Sequence, residues 1–315
     1  MPVKIVTDST SDLPPELAKE LGITVIPLYL RFGEKSYRDG VEITPDEFYE
    51  KLVSEHVSPT TSQPTPSDFA RVYQQLSKET DEIVSIHLSS KLSGTYNSAL
   101  QGKKLADTKS NITIVDSESV TIGLGIIAIS AARLALVNES LAKILEDVKQ
   151  SIKNTHMMGT FDTLKYLALG GRIGKAKALL GSMLNVKPIL AMREGELVPV
   201  GNVRTRTKSI EKLVDFAKNA LNTRELGVVY STTHDEAHGL IDSFSSLVNK
   251  GHLHLARLGP ALGIHGGPGM LAVAFKGELP ESTPTSLADR INVPQVHLPK
   301  LNVPNLPHLP HLPHR

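Results

Sequence analysis

Residues 83 to 115 carry the pattern that most narrows the choice of fold. It is a continuous apolar run, a turn of small hydroxyl residues, a helical stretch and a second apolar run. Ile83-Val84-Ser85-Ile86-His87-Leu88 has the length and branching of a strand buried on both faces. Ser90-Lys91-Leu92-Ser93-Gly94-Thr95-Tyr96 follows, with Ser93-Gly94-Thr95 opening a helix to Ala106, and Ile112 to Val115 forms the next strand. A strand–helix–strand unit of this kind builds a parallel sheet with helices on both faces.

The pattern recurs upstream. Lys4 to Thr7 reads as a strand ending in Asp8-Ser9-Thr10-Ser11-Asp12, followed by a helix from Glu16 to Gly22 and a strand from Ile23 to Phe32. A loop from Gly33 to Thr44 leads to a helix from Pro45 to Glu55, with Thr44 as cap and proline first. The run Ser58-Pro59-Thr60-Thr61-Ser62-Gln63-Pro64 precedes a further helix, Phe69 to Leu76, capped by Ser67-Asp68. After helices at Ile122 to Val137 and Ser140 to Asn154 the pattern changes. Met158 to Phe161 reads as a strand, and Asp162 caps a helix that stops at Gly170-Gly171. Pro188 to Arg193 and Leu197 to Val203 flank a hairpin turn, and helices at Lys208 to Leu221 and Asp235 to Asn249 alternate with strands at Leu226 to Thr232 and Leu253 to Leu258. The expected layout is an α/β domain over 1–155, a second α/β domain over 156–279, and a disordered Pro/His/Leu-rich tail over 280–315. Histidines repeat every third residue in that tail. Polyproline II geometry spaces them about 9 Å apart, too far for consecutive ones to chelate one metal.

Composition removes several classes of function. A formal net charge of +1 without a basic block, together with 4% aromatic residues, argues against a nucleic-acid partner. The absence of cysteine excludes disulfides, thiolate metal sites and cysteine nucleophiles. The most apolar run, Val120 to Ala132, falls short of the ~18 residues a bilayer span requires, so a buried helix is expected and stable membrane insertion is not. The chain enters a strand pattern at once, with no secretory leader, so a cytoplasmic location is expected.

The two hydroxyl clusters suggest an anion site. Helix N-termini present unpaired N–H groups, Thr61, Ser62, Ser93 and Thr95 offer hydroxyl donors, and Gly94 lets a ligand approach the backbone. In a parallel sheet the ligand edge lies beyond the carboxyl ends of the strands, where Asp8, the Thr61 loop, Ser93 and Asp116 meet. The same residues also suit ordinary caps and turns, and a small-anion or phosphate-binding module would use the same groups. A serine hydrolase with Ser93 as nucleophile, His265 as base and Asp8 or Asp116 as orienter is the enzymatic alternative. Lys91, however, stands where the elbow motif has its first glycine. The run Gly170 to Ala176 is not a phosphate loop. Three residues separate its glycines where four are needed, and Ala176 replaces the magnesium-binding hydroxyl.

Thr60-Thr61-Ser62-Gln63-Pro64 and Leu92-Ser93-Gly94-Thr95-Tyr96-Asn97-Ser98-Ala99 resemble the two signature stretches of the DegV family of bacterial fatty-acid-binding proteins. Ile5 to Leu13, Ile114 to Ser117, Gly170 to Ile173, Lys187 to Leu190 and His265 to Gly269 match in order, and the resemblance covers about residues 1–279. It implies a two-domain DegV-like fold and a long-chain fatty acid such as palmitate as ligand. Thr61, Ser62, Ser93 and the backbone near Gly94, with Thr95 beside them, would hold the carboxylate. Arg172 and His265 would add charge or donors, and the acyl chain would lie in an apolar tunnel between the domains. The resemblance also implies a lipid carrier with no cofactor and no catalytic residue of its own, which presents its ligand to a separate fatty acid kinase subunit. Arg204 and Arg206 would be the docking residues.

Overall fold

Pro27 divides what the sequence suggests as one strand. In the computed structural model, which describes residues 2–54, 59–179 and 186–280, the stretch becomes two strands that belong to different sheets. The chain opens with β1 (Lys4–Asp8), α1 (Pro15–Glu20), β2 (Ile23–Ile26), β3 (Tyr29–Phe32), β4 (Lys35–Arg38) and α2 (Pro45–Ser54). Strand β4 occupies the stretch expected as loop and pairs antiparallel with β3. The first hydroxyl cluster is itself a short strand, β5 (Thr60–Ser62), on the other edge of β3. Next come α3 (Pro66–Leu76), β6 (Glu82–His87), α4 (Thr95–Leu105), β7 (Asn111–Asp116), α5 (Thr121–Leu136) and α6 (Leu141–Asn154). The cap of α3 is Thr65 rather than Ser67-Asp68. Thr65 and Asp68 satisfy each other's backbone in a reciprocal capping box, which leaves Ser67 inside the helix.

Strands β2-β1-β6-β7 form a parallel four-stranded sheet. One face packs on α3 and α4 through Val6, Ile83 and Ile112 against Phe69, Tyr73 and Ala99. The other face meets α5, so the sheet carries helices on both sides.

The second half contributes β8 (Thr155–Thr160), α7 (Lys165–Leu169), β9 (Lys187–Arg193), β10 (Glu196–Val203), α8 (Arg206–Lys218), β11 (Leu221–Tyr230), α9 (His234–Phe244), β12 (Leu253–Arg257), α10 (Pro260–Gly266) and β13 (Leu271–Glu278). Its six-stranded sheet runs β10-β9-β8-β13-β11-β12, antiparallel except for the β11–β12 pair. Helices α8 and α9 cover one face through Leu213, Phe216, Leu240 and Phe244. One expected cap moves here: Asp162 does not cap α7 but pairs with Lys187 at 2.7 Å. Helix α8 starts at Arg206, two residues earlier than expected, with Thr205 as its cap. The expected disordered tail lies outside the described residues from 281 onward, as do Glu55 and Ser58.

The apolar run at 120–132 becomes α5, and twelve of its sixteen residues are buried. It lies between the two large sheets, touching β1 on one side and β11 and β13 on the other. One continuous apolar core therefore joins Ile5, Val84 and Ile86 of the parallel sheet to Leu190, Val229 and Ala272 of the mixed one. The approach is closest at Gly227, where an added Cβ would lie 2.3 Å from Ile122 Cγ1. Gly227→Ala is expected to destabilise the protein by about 1–3 kcal/mol through overpacking, measured by denaturant unfolding.

Candidate functional site

Between these layers opens a cavity with about 730 Å3 of atom-free space, including the part that faces solvent. Thr10 and Leu88, each just past the end of β1 or β6, line it, as do Val120 and Thr121 at the start of α5. The remaining wall is mostly apolar and comes from both halves of the chain, including Leu92, Met157, Phe161, Leu258 and Met270. Four of the residues singled out in the sequence meet at this cavity: Thr61, Ser93, Arg172 and His265. A second, polar recess adjoins it and shares Leu28, Thr61, Ser93 and Arg172 with it, adding Ser62, Gln63, Thr65 and Ser98. The site is thus an apolar hollow with a polar end.

Each polar group has an identifiable support. Thr61 lies on β5, where pairing with Leu30 of β3 fixes its direction. Its Oγ1 lies 3.2 Å from His265 Nε2 at the end of α10, which joins residues 204 positions apart. Ser93 Oγ and Thr95 Oγ1 are 2.9 Å apart, and Thr95 is fully buried behind Ser93. Gly94 is the N-cap of α4 and provides no side-chain cap. Ser62 is exposed, and its Oγ donates to Gln63 O at 3.4 Å, so it borders the recess rather than the cavity. Arg172 is exposed too; its Nη1 donates to Gly170 O at 2.7 Å and its Nε to Leu92 O at 3.3 Å. That brace ties the glycine turn after α7 to the loop before α4.

His265 enters as a neutral ring. Burial, with the Arg172 charge adding to it, lowers its pKa to about 4. Of the two contributions the sequence allowed it, charge or a hydrogen bond, only the second operates at neutral pH. Its Nδ1 is buried without a partner, and an added Cβ at Gly170 would lie 2.0 Å from that atom. Gly170 is therefore required for side-chain room, not only as a helix stop. Gln63 is a further residue of the polar recess. Its Nε2 donates to Ser98 Oγ at 2.9 Å, and its carboxamide occupies the space above Gly94, so it spaces the two hydroxyl loops. Its place inside the Thr-Thr-Ser-Gln-Pro run was the available signal.

The hydrolase arrangement does not assemble. Ser93 bonds Thr95, His265 faces Thr61, and Asp8 bonds His87 Nδ1 at 3.0 Å in a sealed chain that continues through Ser85 to Tyr73. Asp116 accepts from the backbone of Ser90 and Glu118. Nor is Arg206 a free docking charge. It is mostly buried, forks onto Glu236 at 2.6–3.1 Å and donates to Gly269 O at 2.7 Å. Arg204 is exposed.

A histidine depressed from 6.5 to about 4 leaves the unfolded chain to take up its proton first. Its contribution to stability is complete above the ordinary value and is lost as pH falls toward 4. An NMR titration of His265 is expected to show a midpoint near 4, and Arg172→Gln is expected to move it upward by removing the adjacent charge.

The DegV family model matches residues 2–278. A DegV domain-containing protein of Caldanaerobacter subterraneus is 36% identical over 277 residues, covering 87% of this chain and 98% of that one. Among solved structures, a DegV family protein of Thermus thermophilus described by its fatty acid binding is 35% identical with a TM-score of 0.81, covering 88% of this chain and all of that one. DegV of Bacillus subtilis, described as a fatty acid binding protein, is 33% identical with a TM-score of 0.78 at the same coverage. With a family match across nearly all described residues and this shared fold, the chain belongs to the DegV family.

Proposed function

We propose that the protein binds a long-chain fatty acid, with the carboxylate at Thr61 and Ser93 and the acyl chain in the apolar cavity. The observation that carries this reading is the junction of the two hollows, where Thr61, Ser93 and Arg172 border apolar wall and polar recess at once. Thr61 and Ser93 can donate to a carboxylate, Arg172 brings a positive charge, and neutral His265 holds Thr61 in place. The Thermus, Bacillus and Eubacterium ventriosum relatives, the last described as stearic acid-binding, support a fatty acid as the ligand class.

Energetics divide the roles. Burial is worth ~0.8 kcal/mol per methylene, so about fourteen methylenes supply on the order of 11 kcal/mol before ordering costs. The chain supplies affinity and the polar end fixes direction. The exposed recess leaves the carboxylate end reachable, which suits a carrier that hands its acid to a separate kinase subunit. Of the two arginines assigned to docking, Arg204 is exposed and keeps that role in this reading, whereas Arg206 donates to Gly269 O. No helix among the described residues is long and apolar enough to cross a membrane.

Native mass spectrometry of the purified chain is expected to show a non-covalent adduct of fatty-acid mass. A clean apo mass that palmitate does not shift would overturn the reading. Ser93→Ala and Thr61→Ala are each expected to weaken palmitate binding by about 1–3 kcal/mol with unfolding unchanged, measured by calorimetry. Equal binding of acetate and palmitate would point instead to a small-anion module.

A further inference from the structure

Three buried carboxylates stand behind the cavity, and none of them lines it. Each fastens pieces of the wall. Asp8 accepts from the Thr10 hydroxyl and from Leu88 N at 3.1 Å. Asp12 accepts from the Thr121 hydroxyl and from Gly259 N at 2.9 Å. Asp39 accepts from Ala261 N at 3.3 Å and from Ser9 Oγ at 2.7 Å, and the same Ser9 Oγ accepts from Leu28 N at 3.0 Å. Thr10, Leu28, Leu88, Thr121 and Ala261 are all wall residues.

Two of these tethers converge on α10. The helix has seven residues, and its cap, Gly259, has no side chain to satisfy the first turn. An element so short has little stability of its own, so its direction is set by what holds it. Asp12 and Asp39 hold its start, some 220 to 250 residues away in sequence, and Gly263 seats its middle against Phe48 and Tyr49. At its end is His265, which meets Thr61. Burial of these carboxylates is unfavourable, raising Asp39 to about 6 and Asp12 also above its ordinary value. The cost falls where backbone N–H groups need acceptors.

We propose that Asp12 and Asp39 are positioning residues for the head-group end: they orient α10 so that His265 supports Thr61, without touching the ligand themselves. The proposal rests on the fatty-acid reading above. Its test pairs palmitate affinity by calorimetry with the imidazole 15N signals of His265, using the full chain. Asp39→Ala is expected to weaken palmitate binding by about tenfold and to move the His265 signals. Asp39→Asn keeps an acceptor for Ala261 N and is expected to restore affinity to within about threefold and return the signals. A folded Asp39→Ala with native affinity and unmoved His265 signals would overturn the proposal, and so would an Asp39→Asn as defective as Asp39→Ala. Should Asp39→Ala fail to fold, Asp12→Ser decides: it withdraws the acceptor from Gly259 N at the start of α10, and unchanged affinity with unmoved signals would sink the idea. Failure of the unsubstituted chain to bind palmitate would overturn the fatty-acid reading alone, because the His265 signals of the variants still report the positioning.

Discussion

The fold depends on burying one helix along most of its length. Helix α5 is apolar on every side, so it needs a sheet on each side, and the two large sheets are arranged around it. Gly227 and Gly125 show how tightly this is done. An added Cβ would lie 2.3 Å from Ile122 Cγ1 at Gly227 and 2.8 Å from Ser11 O at Gly125. The start of α5 faces the cavity through Val120 and Thr121, so the element that unites the core also forms part of the site. Thr121 sits at φ 50°, a left-handed conformation unusual for a β-branched residue, and its hydroxyl is held by Asp12.

The polar end draws on separate parts of the chain for each property it needs. Direction comes from β5 pairing for Thr61 and from the α4 turn for Ser93. Neutrality of His265 comes from burial beside Arg172. Access comes from the recess bordered by Ser62 and Gln63. In the proposed function, hydroxyls, an uncharged imidazole and one exposed guanidinium would receive the carboxylate with little buried charge to desolvate.

Much of this was legible in the sequence, for physical reasons that can be named. The parallel sheet followed from apolar runs ending in small hydroxyl turns, and α5 from an apolar run too short for a bilayer. Thr61 and Ser93 came from the hydroxyl clusters, Arg172 and His265 from a motif resemblance, and the chain brings them to one cavity. What the sequence hid was whatever depends on tertiary partners. The split at Pro27 and the pairing of β4 reflect sheet membership, which no local pattern encodes. Asp162 has the composition of a cap, yet it has Lys187 beside it. Arg206 reads as a surface cation until Glu236 and Gly269 are placed around it. The tethers from Asp12 and Asp39 to α10 span more than two hundred residues, far beyond any periodicity.

Those tethers also bear on how such a wall can change over generations. Thr10, Thr121 and Ser9 each surrender a hydroxyl hydrogen to a buried aspartate, so the effect of altering one depends on whether its carboxylate still has other donors. Neighbours linked in this way are non-additive, and a change tolerated in one background fails in another. Leu92, Leu197 and Leu262 are wall residues whose side chains hang outside that network. Reshaping of the cavity is therefore easier at these leucines, whose substitution breaks no hydrogen bond to the aspartates, while the aspartate-bound wall is remodelled by concerted substitution.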